Sequence, residues 1–189
     1  APVLRHVDLR RAPVESLPQL PVLQSLVALS TKLSAATLEA VRRRTPGAAV
    51  DSTWASALHR SLKGATRVTV RTGGLCHREP EEEQVLLTLS APKELTFLFT
   101  TFAIDEEKSR GVCMCCGGPT LTFWRDGEAL DEVSFQHGEA LRWSGWPADA
   151  TLADERLVHF LAEKGVTGPL EELEEEREHE LATRAAFDR

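Results

Sequence analysis

The apolar residues of this 189-residue chain change their spacing at Thr66. Before that point they recur at three and four positions. From Thr66-Arg67-Val68-Thr69-Val70-Arg71 onward they alternate. The first spacing buries one stripe of a helix, and the second buries one face of a strand. Helical patterns at both ends and strand patterns in the middle imply an α+β fold. They do not fit a doubly wound βαβ protein with a parallel sheet.

The spacing predicts three helices in the first third. Residues 20–29 place Leu20, Leu23, Leu26 and Val27 on one face. A second helix starts at Ser34, a good N-cap, with Leu33 packing on Leu38 as a staple. Thr45-Pro46-Gly47 stops it. Asp51 is the expected cap of a third, with Trp54, Ala57, Leu58 and Ser61 inward, ending at Gly64. Strands are expected at 66–71, 85–89, 121–124, 129–135 and 140–143, with Asp126-Gly127 as a hairpin turn and His137-Gly138 as another.

Between the second and third strands, Ser90-Ala91-Pro92 reads as a helix start. Leu95, Leu98, Phe99 and Phe102 follow at i, i+3, i+4 and i+7. The Thr and Phe content leaves a strand as the alternative there. Two helices close the chain, one around Leu152, Leu157, Phe160 and Leu161, the other from Pro169 to Ala186. The expectation is one domain over 1–189. It has a helical N-terminal part (1–64), a β-rich core (65–147) around an antiparallel sheet of about five strands, and C-terminal helices (148–189).

A chain of this length buries roughly 70% of its unfolded surface, so it needs neither metal nor disulfide to fold. The net charge is −7, with a basic excess confined to the first sixty residues. Arg42-Arg43-Arg44 fits the last turn of a helix, where cations meet the negative end of the dipole. The acidic balance argues against a nucleic-acid partner. The apolar run Leu20 to Leu29 is interrupted by Gln24 and Ser25 and is too short to span a membrane. No charged-then-apolar leader is visible. Four cysteines, three of them crowded together, do not make a secreted disulfide framework. A cytoplasmic location with reduced thiols is the expectation.

Reactive side chains concentrate in Cys113-Met114-Cys115-Cys116-Gly117-Gly118-Pro119. The fourth cysteine, Cys76, sits beside His77, and His137 ends a strand. Zinc takes four ligands from thiolate and imidazole, and Cys113-x-x-Cys116-Gly-Gly has the form of half a zinc knuckle. The candidate ligands are Cys76, Cys113, one of Cys115 or Cys116, and His137. Neighbouring cysteines rarely reach one atom. An extended stretch would put Cys113 and Cys115 on one face, and a turn would converge Cys113 and Cys116. A second Cys-x-x-Cys is missing. The cluster is also soft enough for Cu(I).

Three rival readings stand beside zinc. Cys113 and Cys116 can cycle as a dithiol, although the motif leads into a hairpin rather than a helix. A cysteine nucleophile can use His137 with Asp149 as base and orienter. The plainest reading makes the thiols small buried packing groups. Arg142 beside Trp143 either reads an anion or stacks on its own Trp. Trp143, Trp146 and Pro147 form an aromatic lip or the seat of the next helix. Glu79 to Glu83 and Asp105 to Glu107 read as solvated loops. The last helix carries seven Glu between 171 and 180. It is a solvated helix by default and otherwise a surface for a basic or helical protein partner. No phosphate loop, dinucleotide fingerprint, metalloprotease motif or nucleophile elbow is present. The expected role is a small regulatory or protein-interaction domain with a structural zinc site. The alternative is a thiol-dependent enzyme using Cys113 or Cys116 with His137.

Overall fold

The computed structural model describes residues 4–76, 81–109 and 111–187. His77 and the loop through Pro80 lie outside the described residues. Backbone pairing and packing divide the chain into two units. One takes the chain up to Arg60 with Ser144–Pro147; the other takes Ser61–Trp143 and Ala148–Arg189.

The first unit holds β1 (His6–Asp8), β2 (Ser25–Val27), α1 (Ala35–Arg44), β3 (Ala49–Asp51) and most of α2 (Trp54–Ser61). The three strands pair in parallel in the order β1-β2-β3. Leu23, Leu26, Ala28, Leu33 and Leu38 form its buried cluster. Ser34 caps α1 by accepting from the Thr37 N–H, and all three basic residues of the Arg42–Arg44 run fall in the last turn.

Two expectations are corrected here. Residues 20–29 form no helix; Ser25–Val27 instead form β2, hydrogen-bonded on both edges to parallel neighbours. A strand of three residues with one buried between two half-buried ones is too short for periodicity to separate from a helix. Asp51 ends β3 instead of capping α2, and its buried carboxylate accepts from Arg60 at 2.6 Å. Thr53 and Ser56 form the cap, each side-chain oxygen accepting the other's backbone N–H at 3.1 and 3.3 Å. Trp146 is buried, stacked on Trp54 with ring centroids 5.9 Å apart, and donates to the Trp54 carbonyl.

The second unit is built on β4 (Arg67–Arg71), β5 (Val85–Leu89), α3 (Pro92–Thr100), β6 (Thr120–Arg125), β7 (Glu128–Gln136), β8 (Ala140–Arg142), β9 (Ala150–Thr151), α4 (Arg156–Glu163) and α5 (Gly168–Phe187). Its six strands form one antiparallel sheet, ordered β5-β4-β6-β7-β8-β9. The fold is α+β, with this sheet as the main one and two helices closing the chain. Strand β9 has only two residues, too short to leave a pattern in the sequence.

Asp126 and Gly127 both have positive φ, the pairing of a two-residue hairpin between β6 and β7. Helix α3 forms as the 3.6 spacing requires, with Pro92 as its first residue and Ala91, not Ser90, at the cap. Phe99 and Phe102 each place a ring 6.0 Å from that of the fully buried Phe123. Leu157, Val158 and Leu161 turn the inner face of α4 into the same unit. Glu83, expected in a solvated loop, instead accepts from the buried Arg71 at 2.9 Å. Beyond Leu173, which is buried, α5 is exposed apart from the half-buried Glu176.

Candidate metal centre

Strand β7 aligns the thiol stretch. Gly118 donates to the Phe135 carbonyl at 2.9 Å, and the Phe135 N–H donates to the Pro119 carbonyl at 3.1 Å. The segment thus continues the β6–β7 ladder backward from Thr120. Gly117 has φ +68, and a Cβ there would lie 2.1 Å from the Phe135 oxygen and 2.0 Å from the Gln136 amide. Only glycine fits both the conformation and the space. A Cβ on Gly74 would lie 1.7 Å from the Cys116 oxygen, so the loop after β4 is pressed against the stretch from the other side. Cys113-Met114-Cys115 then emerges over the end of β7, where the chain turns at His137 and Gly138, both with positive φ. Gly138 is seated on α5, since a Cβ there would lie 2.1 Å from the Pro169 oxygen.

An ion pair fixes the backbone of the two cysteines. Arg142 donates to both Asp149 oxygens at 2.8 Å, to the Cys113 carbonyl at 2.7 Å and to the Cys115 carbonyl at 2.9 Å. Asp149 in turn accepts the Cys113 N–H at 2.7 Å. The guanidinium is a planar fork with five donors, and four of its bonds converge on one loop and one carboxylate. Asp149 holds the Arg142 pKa up and is engaged in this clamp rather than in orienting His137.

Three donor atoms meet above the clamp. The sulfurs of Cys113 and Cys115 are 2.6 Å apart, and His137 Nε2 lies 3.2 Å from the first and 3.4 Å from the second. These are free thiols. All three atoms fall within 4.8 Å of one another, and among the described residues no other group of His, Cys, Asp and Glu does so. Two thiolates on one tetrahedral zinc stand about 3.8 Å apart, from a Zn–S bond of about 2.3 Å. Side-chain rotation of about 1 Å opens the pair to that span, within the reach of a χ1 adjustment. Donor types and convergence are those of a group that could hold a metal ion, with Cys115 rather than Cys116 sharing the face of Cys113.

The electrostatics favour the anionic form of one sulfur. The Cys113 pKa is pulled down to about 7, first by the Cys115 thiol, then by the Cys115 N–H and by His137. Burial and the competing Cys113 sulfur push the Cys115 thiol up. His137 is raised, chiefly by its bond to Cys113 and less by the carboxylates of Glu176 and Glu172 on α5. The Cys115 thiol also donates to Gln136 Oε1 at 3.0 Å, and Gln136 is locked by its own bond to Ser134.

Cys76 and Cys116 are placed differently. The neighbouring Cys76 thiol pushes the Cys116 pKa up, and Cys76 donates to the Cys115 carbonyl at 3.8 Å. They form a second thiol pair beside the three-donor group. Met114, between Cys113 and Cys115, is fully exposed.

Cys113 and His137 also line a cleft of about 380 Å³, shared with Lys108, Gln136, Glu139 and Asp149. Sequence reasoning missed Gln136 altogether. It noticed Arg142 only as an Arg beside a Trp, because the partner that explains it lies on the far side of β9's loop. Compared with known proteins, the chain matches no family model, no curated protein and no solved structure.

Proposed function

We propose that this protein is a small regulatory domain that binds one zinc ion through Cys113, Cys115 and His137. The observation that carries this reading is the convergence of two thiols and an imidazole from two separate segments within 4.8 Å. Both segments are held before any ion arrives, the thiol loop by Arg142 and Asp149 and the turn by α5. A bound ion would cross-link the loop to the β7–β8 turn. It would present Met114 and its neighbours as a fixed surface. Zinc suits the donor set because it accepts mixed thiolate and imidazole ligands without redox change; Cu(I) is the softer competitor.

The exposed acidic length of α5 suits a basic protein partner. The acidic balance gives no support to a nucleic-acid partner. Among the described residues no helix is long and apolar enough to cross a membrane; a cytoplasmic site of action, where thiols stay reduced, is part of the proposal.

The test is metal content in variants. Protein purified without a metal column and supplied with zinc should carry roughly one ion per chain, lost in Cys113→Ser, Cys115→Ser and His137→Ala. It should be retained in Cys76→Ser and Cys116→Ser. Equal retention in all five would sink the proposal. A second reading, thiol chemistry at Cys113, draws on its place in the cleft with Cys115 2.6 Å away as a resolving partner. It predicts fast alkylation of Cys113 that zinc does not suppress.

A further inference from the structure

We infer that the ion held by Cys113, Cys115 and His137 keeps one coordination position open to the adjoining cleft, and that this position takes a small anionic ligand. The inference rests on the metal reading above and adds what the site binds.

Zinc is four-coordinate, and a site with three protein ligands leaves the fourth place to solvent or to a ligand. Among the described residues only three donors converge. The candidates that would close the site are engaged elsewhere. Asp149 is held by Arg142 and the Cys113 N–H. Cys76 and Cys116 lie outside the three-donor group, and the Cys76 thiol donates to the Cys115 carbonyl at 3.8 Å. Glu139 lines the cleft, but its carboxylate lies outside the three-donor group.

The open side has a direction. Cys113 and His137 both line the cleft, while Cys115 turns to Gln136, so a ligand approaches past the first two. At about 380 Å³ the cleft sits at the low end of the range for small-molecule pockets. It excludes a folded partner and admits a small molecule. Two thiolates and a neutral imidazole already cancel the charge of a divalent ion. An incoming anion therefore gains from a second cation, and Lys108 supplies one at the cleft wall. Its ammonium is paired with Asp105 at 3.2 Å, a largely exposed pair of the kind that contributes little and can be exchanged for an anion. The ligand class is a low-molecular-weight donor with one negative charge, such as a carboxylate or a thiolate.

Cobalt(II) makes the coordination visible. The apo protein is loaded with cobalt, and its visible spectrum is followed while sodium azide is added, then acetate and 2-mercaptoethanol in parallel. The expected result is thiolate-to-cobalt charge transfer on loading, then a saturable shift of the d–d bands with azide. Lys108→Ala should load cobalt equally and weaken azide several-fold. A larger response to acetate or to 2-mercaptoethanol identifies the donor type. Charge transfer with no anion response, or azide affinity unchanged in Lys108→Ala, would overturn the open position in this cleft. Absence of charge transfer would instead overturn the metal reading on which it stands.

Discussion

Replacing Asp149 with alanine should damage both the stability of the domain and its thiol loop. The carboxylate is 8% exposed and accepts three bonds, two from Arg142 and one from the Cys113 N–H. Removing one partner of a buried, hydrogen-bonded ion pair costs about 3–5 kcal/mol, because the other charge is left behind. Arg142 keeps its bonds to the Cys113 and Cys115 carbonyls, and its side chain is 17% exposed, so water reaches part of it. That points to the low end, about 3 kcal/mol. In a chain of this size each kcal/mol moves the melting temperature by about 2–4 °C, so a fall of about 6–12 °C is expected. Asp154→Ala is the control. Its ion pair with Arg156 is exposed, and such pairs contribute about 0–1 kcal/mol. Thermal unfolding followed by circular dichroism, in chelator, reads both. If Asp149→Ala melts within about 2 °C of the control, the clamp does not hold the loop, and the pre-arranged site falls with it.

Gly117→Ala should destabilise by about 3 kcal/mol or more, since its Cβ meets the Phe135 oxygen at 2.1 Å; a normal urea midpoint would refute the close approach. Arg71 is 5% exposed between Glu83 and Glu132, so Arg71→Met should cost about 3 kcal/mol in urea unfolding. Adding Glu132→Gln should recover part of that loss, and strict additivity of the two changes would contradict a shared network. Zinc at a hundredfold excess over its dissociation constant should stabilise the wild-type protein by about 2.7 kcal/mol, and Cys113→Ser should abolish the rise in melting temperature. A zinc-induced rise that survives in Cys113→Ser would place the ion elsewhere.

What the sequence revealed was mostly local. The Ser34 cap, the Asp126-Gly127 turn and the apolar face of α3 each depend on residues within one or two turns of one another. Strand β2 was illegible for the opposite reason. Its two partners lie seventeen or more residues away in each direction, and three residues are too few to show an alternation. The thiols and His137 drew attention as rare residues crowded together. Whether Cys113 works with Cys115 or Cys116 depended on the backbone from Cys113 to Gly117. That backbone is set by Phe135, Gln136 and Arg142 on strands further along. The clamp itself is a pairing of Arg142 with Asp149 across the loop before β9, a contact no spacing rule anticipates.

X-ray absorption at the zinc edge tests the central claim most directly. Two sulfur scatterers are expected at about 2.3 Å, with the remaining shell made of nitrogen or oxygen at about 2.0–2.1 Å. Four sulfurs would bring Cys76 and Cys116 into the site, and a shell with no sulfur would mean that Cys113 and Cys115 do not bind the ion at all.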